Sequence, residues 1–243
     1  TWIDPETPVI PLGFLLSLGL AAEPALQPRE LKRAVPVEMK YLLFLPKDYA
    51  GKANANWPLI VFLHGSGERG DDLDAVAKHG PPKVAAAKPD FPFVVASPQC
   101  PKDRFWEPSK VVALVDELVE KYRVDPERVY LTGLSMGGSG TWDTACHYPN
   151  RFAAIAPVCG SGMPWRANYL KGVPVWAFHG EKDKGVPIER SESMVEAVKK
   201  AGGSATLTRY PDLGHDCWTK TYDDPALYEW FLKHTRPAAK DKK

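Results

Sequence analysis

One pentapeptide limits what this chain can fold into more than any other: Gly133-Leu134-Ser135-Met136-Gly137, directly after the apolar run Arg128-Val129-Tyr130-Leu131-Thr132. A strand that ends in G-x-S-x-G and turns at once into a helix puts the serine on a tight, strained turn. The flanking glycines leave room for backbone that a Cβ would obstruct. Glycine and serine are common residues, so the five letters alone are a weak signal. Their setting is stronger, because the strand precedes them and Gly138-Ser139-Gly140-Thr141-Trp142-Asp143-Thr144-Ala145 can open a helix packed closely on the sheet. Ser135 is therefore a candidate nucleophile.

A serine hydroxyl is a weak nucleophile near neutral pH, so it needs a base, and the base needs a group to orient it. The chain has six histidines. His64 and His179 each end an apolar strand before a glycine and read as satisfied strand-end residues. His79 sits in a loop beside Gly80-Pro81-Pro82, which should end any helix early; His147 closes the helix after Ser135, and His234 falls in the last helix. His215, in Asp212-Leu213-Gly214-His215-Asp216 after the strand-like run 205–210, best suits a base carried on a loop at the sheet edge. If the chain order is Ser, acid, His, the acid lies between the other two. Asp183, just beyond the strand 173–178, is the first choice and Glu181 its rival, while Asp216 is too near His215 in sequence to reach round it. Most loop aspartates are only solvated charges; the strand–turn–Asp–Val-Pro setting is what singles Asp183 out.

With these residues in place, the chain resembles the α/β-hydrolases. The likeness is to the small, lidless esterase branch shared by phospholipase/carboxylesterase-type, dienelactone-hydrolase-type and feruloyl-esterase-type proteins. The matching motifs run in order from about residue 40 to about residue 235: His64-Gly65-Ser66-Gly67-Glu68-Arg69-Gly70, Gln99-Cys100-Pro101, Gly133 to Gly138, His179-Gly180 with Asp183, and Gly214-His215-Asp216 with Trp218. The resemblance implies an α/β-hydrolase fold, a mostly parallel central sheet with helices on both faces, and a Ser135-Asp183-His215 triad. It also implies an oxyanion hole made by the backbone N–H groups of Met136 and Ser66. Two such fixed donors are worth about 3 kcal/mol or more each where they have been removed from related sites. Because one fold hosts many chemistries, the resemblance identifies the substrate poorly.

The segment 65–70 also fits G-x-G-x-x-G after a strand, the fingerprint of a dinucleotide site. That fingerprint needs a helix opening at once under the pyrophosphate and little negative charge nearby. Here Glu68, Asp71, Asp72 and Asp74 crowd the loop, and no acidic residue ends the next strand, 93–97. No cofactor is implied.

A chain of 243 residues can form one large α/β domain. Near-continuous apolar strand runs alternate with helical stretches, as in a parallel sheet covered on both faces. Helices are expected near 110–119, with Val111, Leu114, Val115 and Leu118 as one apolar stripe, and at 188–201 and 226–234. The reading divides the chain into an N-terminal segment (1–35), a single hydrolase domain (36–236) and a charged tail (237–243). Basic and acidic residues balance, 31 against 30, and no basic stripe appears, which argues against a nucleic-acid surface. The four cysteines, Cys100, Cys146, Cys159 and Cys217, lack C-x-x-C spacing and no histidine pair has ligand spacing, so no metal site is expected. Whether any of the cysteines pair is left open, with Cys159 and Cys217 both expected near the catalytic edge.

The apolar stretch Leu12 to Ala22 has the length and composition of a signal-peptide core, although no basic segment precedes it. It is too short to span a bilayer. An exported, periplasmic or secreted protein is expected, with a cytoplasmic one as the alternative. Only about fourteen residues separate the strand ending at Val158 from the one starting at Val173, so no cap domain fits there. An uncapped cleft suits a serine carboxylic-ester hydrolase acting on small-molecule esters with short or aryl acyl groups, including carbohydrate-linked ones; a serine peptidase of the prolyl-oligopeptidase-like type and a catalytically silent binding scaffold are the alternatives. Trp106 and Trp218 lie near the catalytic loops and are candidate substrate-binding residues. With eight tryptophans in the chain, core packing is the commoner role for any one of them, and Trp142 reads as core.

Overall fold

In β2 (Trp57–Leu63) every residue after the first is buried, and alternate residues face opposite layers. Leu59, Val61 and Leu63 enter one apolar cluster, while Ile60 and Phe62 enter another. A strand's side chains alternate in direction, so a run that is apolar at every position demands cover on both faces. The computed structural model describes residues 29–33 and 35–237 and provides that cover. The apolar stretch 12–22 and the tail from residue 238 onward lie outside the described residues. The chain divides into two units, Thr1–Pro36 and Val37–Lys243. In the first, Lys32 pairs with Glu30 at 3.1 Å.

The second unit is built on a seven-stranded sheet in the order β1-β3-β2-β4-β5-β6-β7. The strands are β1 (Tyr41–Phe44), β2, β3 (Val94–Pro98), β4 (Val124–Leu134), β5 (Ala154–Val158), β6 (Val175–Gly180) and β7 (Ala205–Tyr210). All neighbours run parallel except β1, which pairs antiparallel with β3. Helices α2 (Pro108–Lys121), α3 (Met136–His147) and α4 (Glu189–Lys200) supply buried residues to one cluster. Helices α1 (Gly80–Ala87), α5 (Trp218–Asp223) and α6 (Pro225–Leu232) supply the other. The expected stripe of α2 is buried throughout, from Val111 to Leu118. The mostly parallel sheet with helices on both faces is thus the architecture expected from the sequence.

The structure extends one local reading. A 3₁₀ segment (Leu73–Lys78) does end just before Gly80-Pro81-Pro82, as expected, but the same three residues also open α1. Proline near the start of a helix loses nothing by lacking an N–H, because the first N–H groups have no intrahelical acceptor, and its fixed φ suits the first turn. His79 is accordingly the residue that precedes this helix.

The seat of α3 decides where Ser135 stands. A Cβ on Gly137 would lie 1.8 Å from the carbonyl oxygen of Leu63 at the end of β2. One on Gly138 would lie 2.3 Å from the carbonyl oxygen of Val158 at the end of β5. The first turn of α3 therefore rests directly on two strand ends, and Ser135 just before it adopts φ 53°, a conformation that side-chain-bearing residues rarely take.

Because backbone, not a flexible side chain, would meet the new methyl group, Gly137→Ala should cost at least the roughly 1–3 kcal/mol typical of overpacking. Thermal unfolding should show a Tm lowered by about 2–12 °C. A melt indistinguishable from wild type would mean that α3 is not seated against β2 in this way.

Candidate active site

Ser135 caps β4 and leads into α3, its N–H donating to Val158 O at 2.9 Å. Two loops bring their side chains to it. The loop after β7 places His215 Nε2 2.9 Å from Ser135 Oγ. The loop after β6 places Asp183 Oδ2 2.7 Å from His215 Nδ1. A carboxylate can only accept, so Nδ1 carries the proton and Nε2 is left to accept from the serine hydroxyl. The three residues singled out in the sequence thus form one continuous chain of hydrogen bonds, with Ser135 and His215 80 residues apart in sequence and His215 and Asp183 32 apart.

Asp183 is held from four sides. Its Oδ1 accepts the backbone N–H groups of Gly185 at 2.8 Å and Val186 at 2.9 Å. Its Oδ2 takes His215 and also lies 3.2 Å from His179 Nε2. Burial alone would raise the Asp183 carboxyl, but the bonds from His215, Val186 and Gly185 outweigh it and hold the group below its ordinary value. His179 itself is fully buried. Its Nε2 donates to Val186 O at 2.8 Å, and its Nδ1 sits 2.7 Å from Ser191 Oγ. It is a satisfied strand-end residue, as expected, but the sequence does not reveal that one of its neighbours is the acid; the only signal is its spacing of four residues from Asp183. The rivals for the acid lie elsewhere. Glu181 is exposed, and Asp216 accepts the backbone N–H and the hydroxyl of Thr219 at the start of α5.

His64 behaves as the sequence suggests. Its Nε2 accepts the Cys100 N–H at 3.0 Å, so Nδ1 carries the proton and donates to Gly65 O at 2.7 Å. Burial pushes its pKa down, which keeps the ring neutral. The His64 carbonyl accepts the indole N–H of Trp106 at 3.1 Å. These three bonds fix the backbone immediately before Ser66. Ser66 begins a 3₁₀ turn (Ser66–Glu68) and Met136 begins α3, so neither N–H has an intrahelical partner.

Ser66, Met136 and Ser135 all line one open cavity of ≈ 530 Å³. Trp106 and Phe105 form one wall, and Ser161, Gly162 and Met163 form another, ahead of a 3₁₀ segment (Pro164–Leu170) that stands where a cap would be inserted. Phe105, Ser161 and Met163 are not legible from sequence, because irregular loops carry no periodicity to reveal which way a residue faces. Trp106 does line the cavity. Trp218 instead lies edge-on to His215, ring centroids 5.3 Å apart, and is not part of that lining. The first turn of α5 begins at Trp218, which sets the indole against the imidazole.

All four cysteines are free and buried. Cys159 directly follows β5 with φ 41°. Burial, followed by the adjacent Cys217 thiol, pushes the Cys159 thiol well above its ordinary value. Cys159 Sγ, an Asp183 oxygen and a His215 nitrogen lie within 4.8 Å of one another. A metal would need the thiolate and the lone pairs that Asp183 and His215 already share, so the donor set fits a hydrogen-bonded relay better than a cation.

The doubly covered sheet, the strand–turn–helix serine and the histidine and aspartate on later loops define the α/β-hydrolase class. Within it, the chain belongs to the dienelactone hydrolase family, whose family model matches residues 37–232. It is 25% identical over 203 residues to a bifunctional acetylxylan esterase/xylanase of Neocallimastix patriciarum, covering 74% of this chain and 28% of that protein. It is 28% identical over 139 residues to a carboxylesterase of Arabidopsis thaliana, covering 54% of this chain and 60% of that one. The crystal structure of a thermostable esterase superposes with a TM-score of 0.75 at 34% identity, over 82% of this chain and 60% of that one. The chain thus spans between about a quarter and three fifths of these relatives.

The lowered Asp183 pKa bears on stability. The contribution of its ionised, hydrogen-bonded form is complete above the ordinary carboxylate range, near pH 4, and is lost as pH falls through the lower folded value. Asp183→Asn has no such proton to take up. Urea midpoints followed from pH 7 down to pH 2 should therefore start lower in the variant and fall less steeply than in wild type. Equal acid-side slopes would place that dependence on other groups.

Proposed function

We propose that the protein is a serine carboxylic-ester hydrolase that acts on esters with short or aryl acyl groups, including carbohydrate-linked ones. The observation that carries this reading is the unbroken relay from Asp183 through His215 to a Ser135 hydroxyl that faces an open cavity. Ser135 Oγ attacks the ester carbonyl while His215 Nε2 takes its proton, and Asp183 stabilises the imidazolium that forms. The N–H groups of Ser66 and Met136 receive the developing oxyanion. His215 then returns the proton to the leaving alkoxide, and water repeats the sequence on the acyl-enzyme.

The short 159–174 connection supports a preference for small acyl groups, since it builds one wall of the cavity without roofing it. The similarity to esterases, one of them an acetylxylan esterase, is in keeping with this reading. The apolar stretch 12–22 supports export as the accompanying proposal, which cell fractionation tests.

Initial rates on p-nitrophenyl acetate, butyrate and palmitate, methyl ferulate and an aminoacyl-p-nitroanilide test the reading directly. Ser135→Ala should fold normally and lose at least about three orders of magnitude in turnover. Wild type should favour the two short esters or the ferulate over the palmitate. Faster cleavage of palmitate would overturn the substrate class, turnover confined to the anilide would make the protein a peptidase, and wild-type rates in Ser135→Ala would overturn the site.

A further inference from the structure

A second cavity, of ≈ 440 Å³, lies on the other side of the Phe105–Trp106 wall, and both residues line it as well as the catalytic cavity. Its volume is within the about 300–1,000 Å³ usual for small-molecule sites. Phe105 is 72% exposed, and its ring lies where the two cavities meet. One side of its ring is taken by the Arg69 guanidinium, 5.8 Å from the centroid. An exposed aromatic ring that separates two cavities is placed to be covered by one ligand extending across both.

The polar groups of this cavity indicate the chemistry of that ligand. Acidic and basic side chains line it in equal number, three of each. Glu107 and Lys110 satisfy each other at 2.8 Å. Lys40, Asp71 and Arg104 make no side-chain hydrogen bond or ion pair among the described residues, and so remain available as donors and an acceptor. At the inner wall, buried Gln99 donates from Nε2 to Glu68 O at 2.7 Å, while its Oε1 has no donor. A wall of both signs with no net charge does not select an anion or a cation. Together with an apolar ring face and an amide oxygen lacking a donor, it suits a neutral molecule that carries many hydroxyls on a ring with apolar C–H faces.

We propose that this cavity is a subsite for the carbohydrate portion of a carbohydrate-linked ester, with the sugar ring against Phe105 and its hydroxyls on Lys40, Asp71 and Arg104. The proposal rests on the esterase reading above and names the substrate class for that site. No bond changes in the subsite; it contributes binding alone, so its loss should act mainly through KM.

The test compares wild type with the double variant Asp71→Ala/Arg104→Ala on two substrates, p-nitrophenyl acetate and an acetylated xylo-oligosaccharide. The ratio of kcat/KM for the sugar ester to that for p-nitrophenyl acetate should fall about tenfold in the double variant, mostly through KM. Lys40→Ala, a separate single change in the same lining, should lower the same ratio and guards against a folding defect in the double variant. Binding of unacetylated xylotetraose, followed by tryptophan fluorescence, gives a readout free of catalysis: it should be saturable in wild type and weakened at least about tenfold in the double variant. An unchanged ratio in both variants, or no saturable binding of xylotetraose to wild type, would overturn the subsite even if Ser135-dependent hydrolysis of p-nitrophenyl acetate stands. Saturable sugar binding without any Ser135-dependent hydrolysis would keep a carbohydrate site and overturn the esterase reading.

Discussion

The close approach of α3 to the ends of β2 and β5 is the constraint on which the site depends. Two consecutive glycines, Gly137 and Gly138, let the first turn of the helix touch the carbonyl oxygens of Leu63 and Val158. The chain can reach that contact from β4 only by a reversal so tight that Ser135 takes φ 53°. Such a conformation costs on the order of 1–3 kcal/mol and persists only where its surroundings over-determine it. Here they do, since the sheet on both sides is buried and the Ser135 N–H is bonded to Val158 O. The strain places Oγ clear of the backbone, at the edge of a cavity, where a base on another loop can reach it.

His215 and Asp183, the proposed base and acid, are held by a different principle. Asp183 is a buried carboxylate, and a buried charge is tolerated only with full hydrogen bonding. Gly185 and Val186 satisfy one oxygen, while His215 and His179 approach the other. The same bonds that make burial tolerable also fix the tautomer of His215. His179 is in turn held by Val186 O and Ser191, so the acid is braced by a second ring that never meets the cavity. Stability and the orientation of the proposed general base therefore rest on one set of contacts.

The sheet and the three residues of the relay are legible in the sequence because each has a local signature. Continuous apolar runs mark the buried strands, G-x-S-x-G marks the turn, and chain order limits where the acid and the histidine can fall. The features that escape are those whose meaning depends on a partner far along the chain. A strand-end histidine before a glycine looks the same whether its ring meets a carbonyl, as at His64, or a carboxylate, as at His179. Pro81 and Pro82 are ambiguous for another reason: proline stops a helix from inside but starts one at its first turn, and here they follow the end of a 3₁₀ segment and open α1. β1, with four residues, and α5, with six, are too short for periodicity to show. Trp218 is legible as a residue near the histidine but not as one stacked edge-on against it, because one turn of α5 sets its direction.

Two loops that take no part in the relay shape the cavity: the one after β3 brings Phe105 and Trp106, and the one after β5 brings Ser161 to Met163. Loops of this kind can change without disturbing the turn at Ser135, and this separation is how one fold supports many substrates. Trp106 is the exception. Its indole N–H is bonded to the carbonyl of His64, next to Gly65 and Ser66, and its ring lies against the His64 imidazole at 4.9 Å between centroids. A Cβ on Gly140 of α3 would come within 2.8 Å of it, so it also touches the helix that carries Met136. The residue that divides the two cavities is thereby tied to both segments that supply the proposed oxyanion donors. In the proposed mechanism the wall that would meet substrate is therefore packed against the same backbone that would receive the developing charge, so Trp106 belongs both to the cavity lining and to the support of the proposed oxyanion donors.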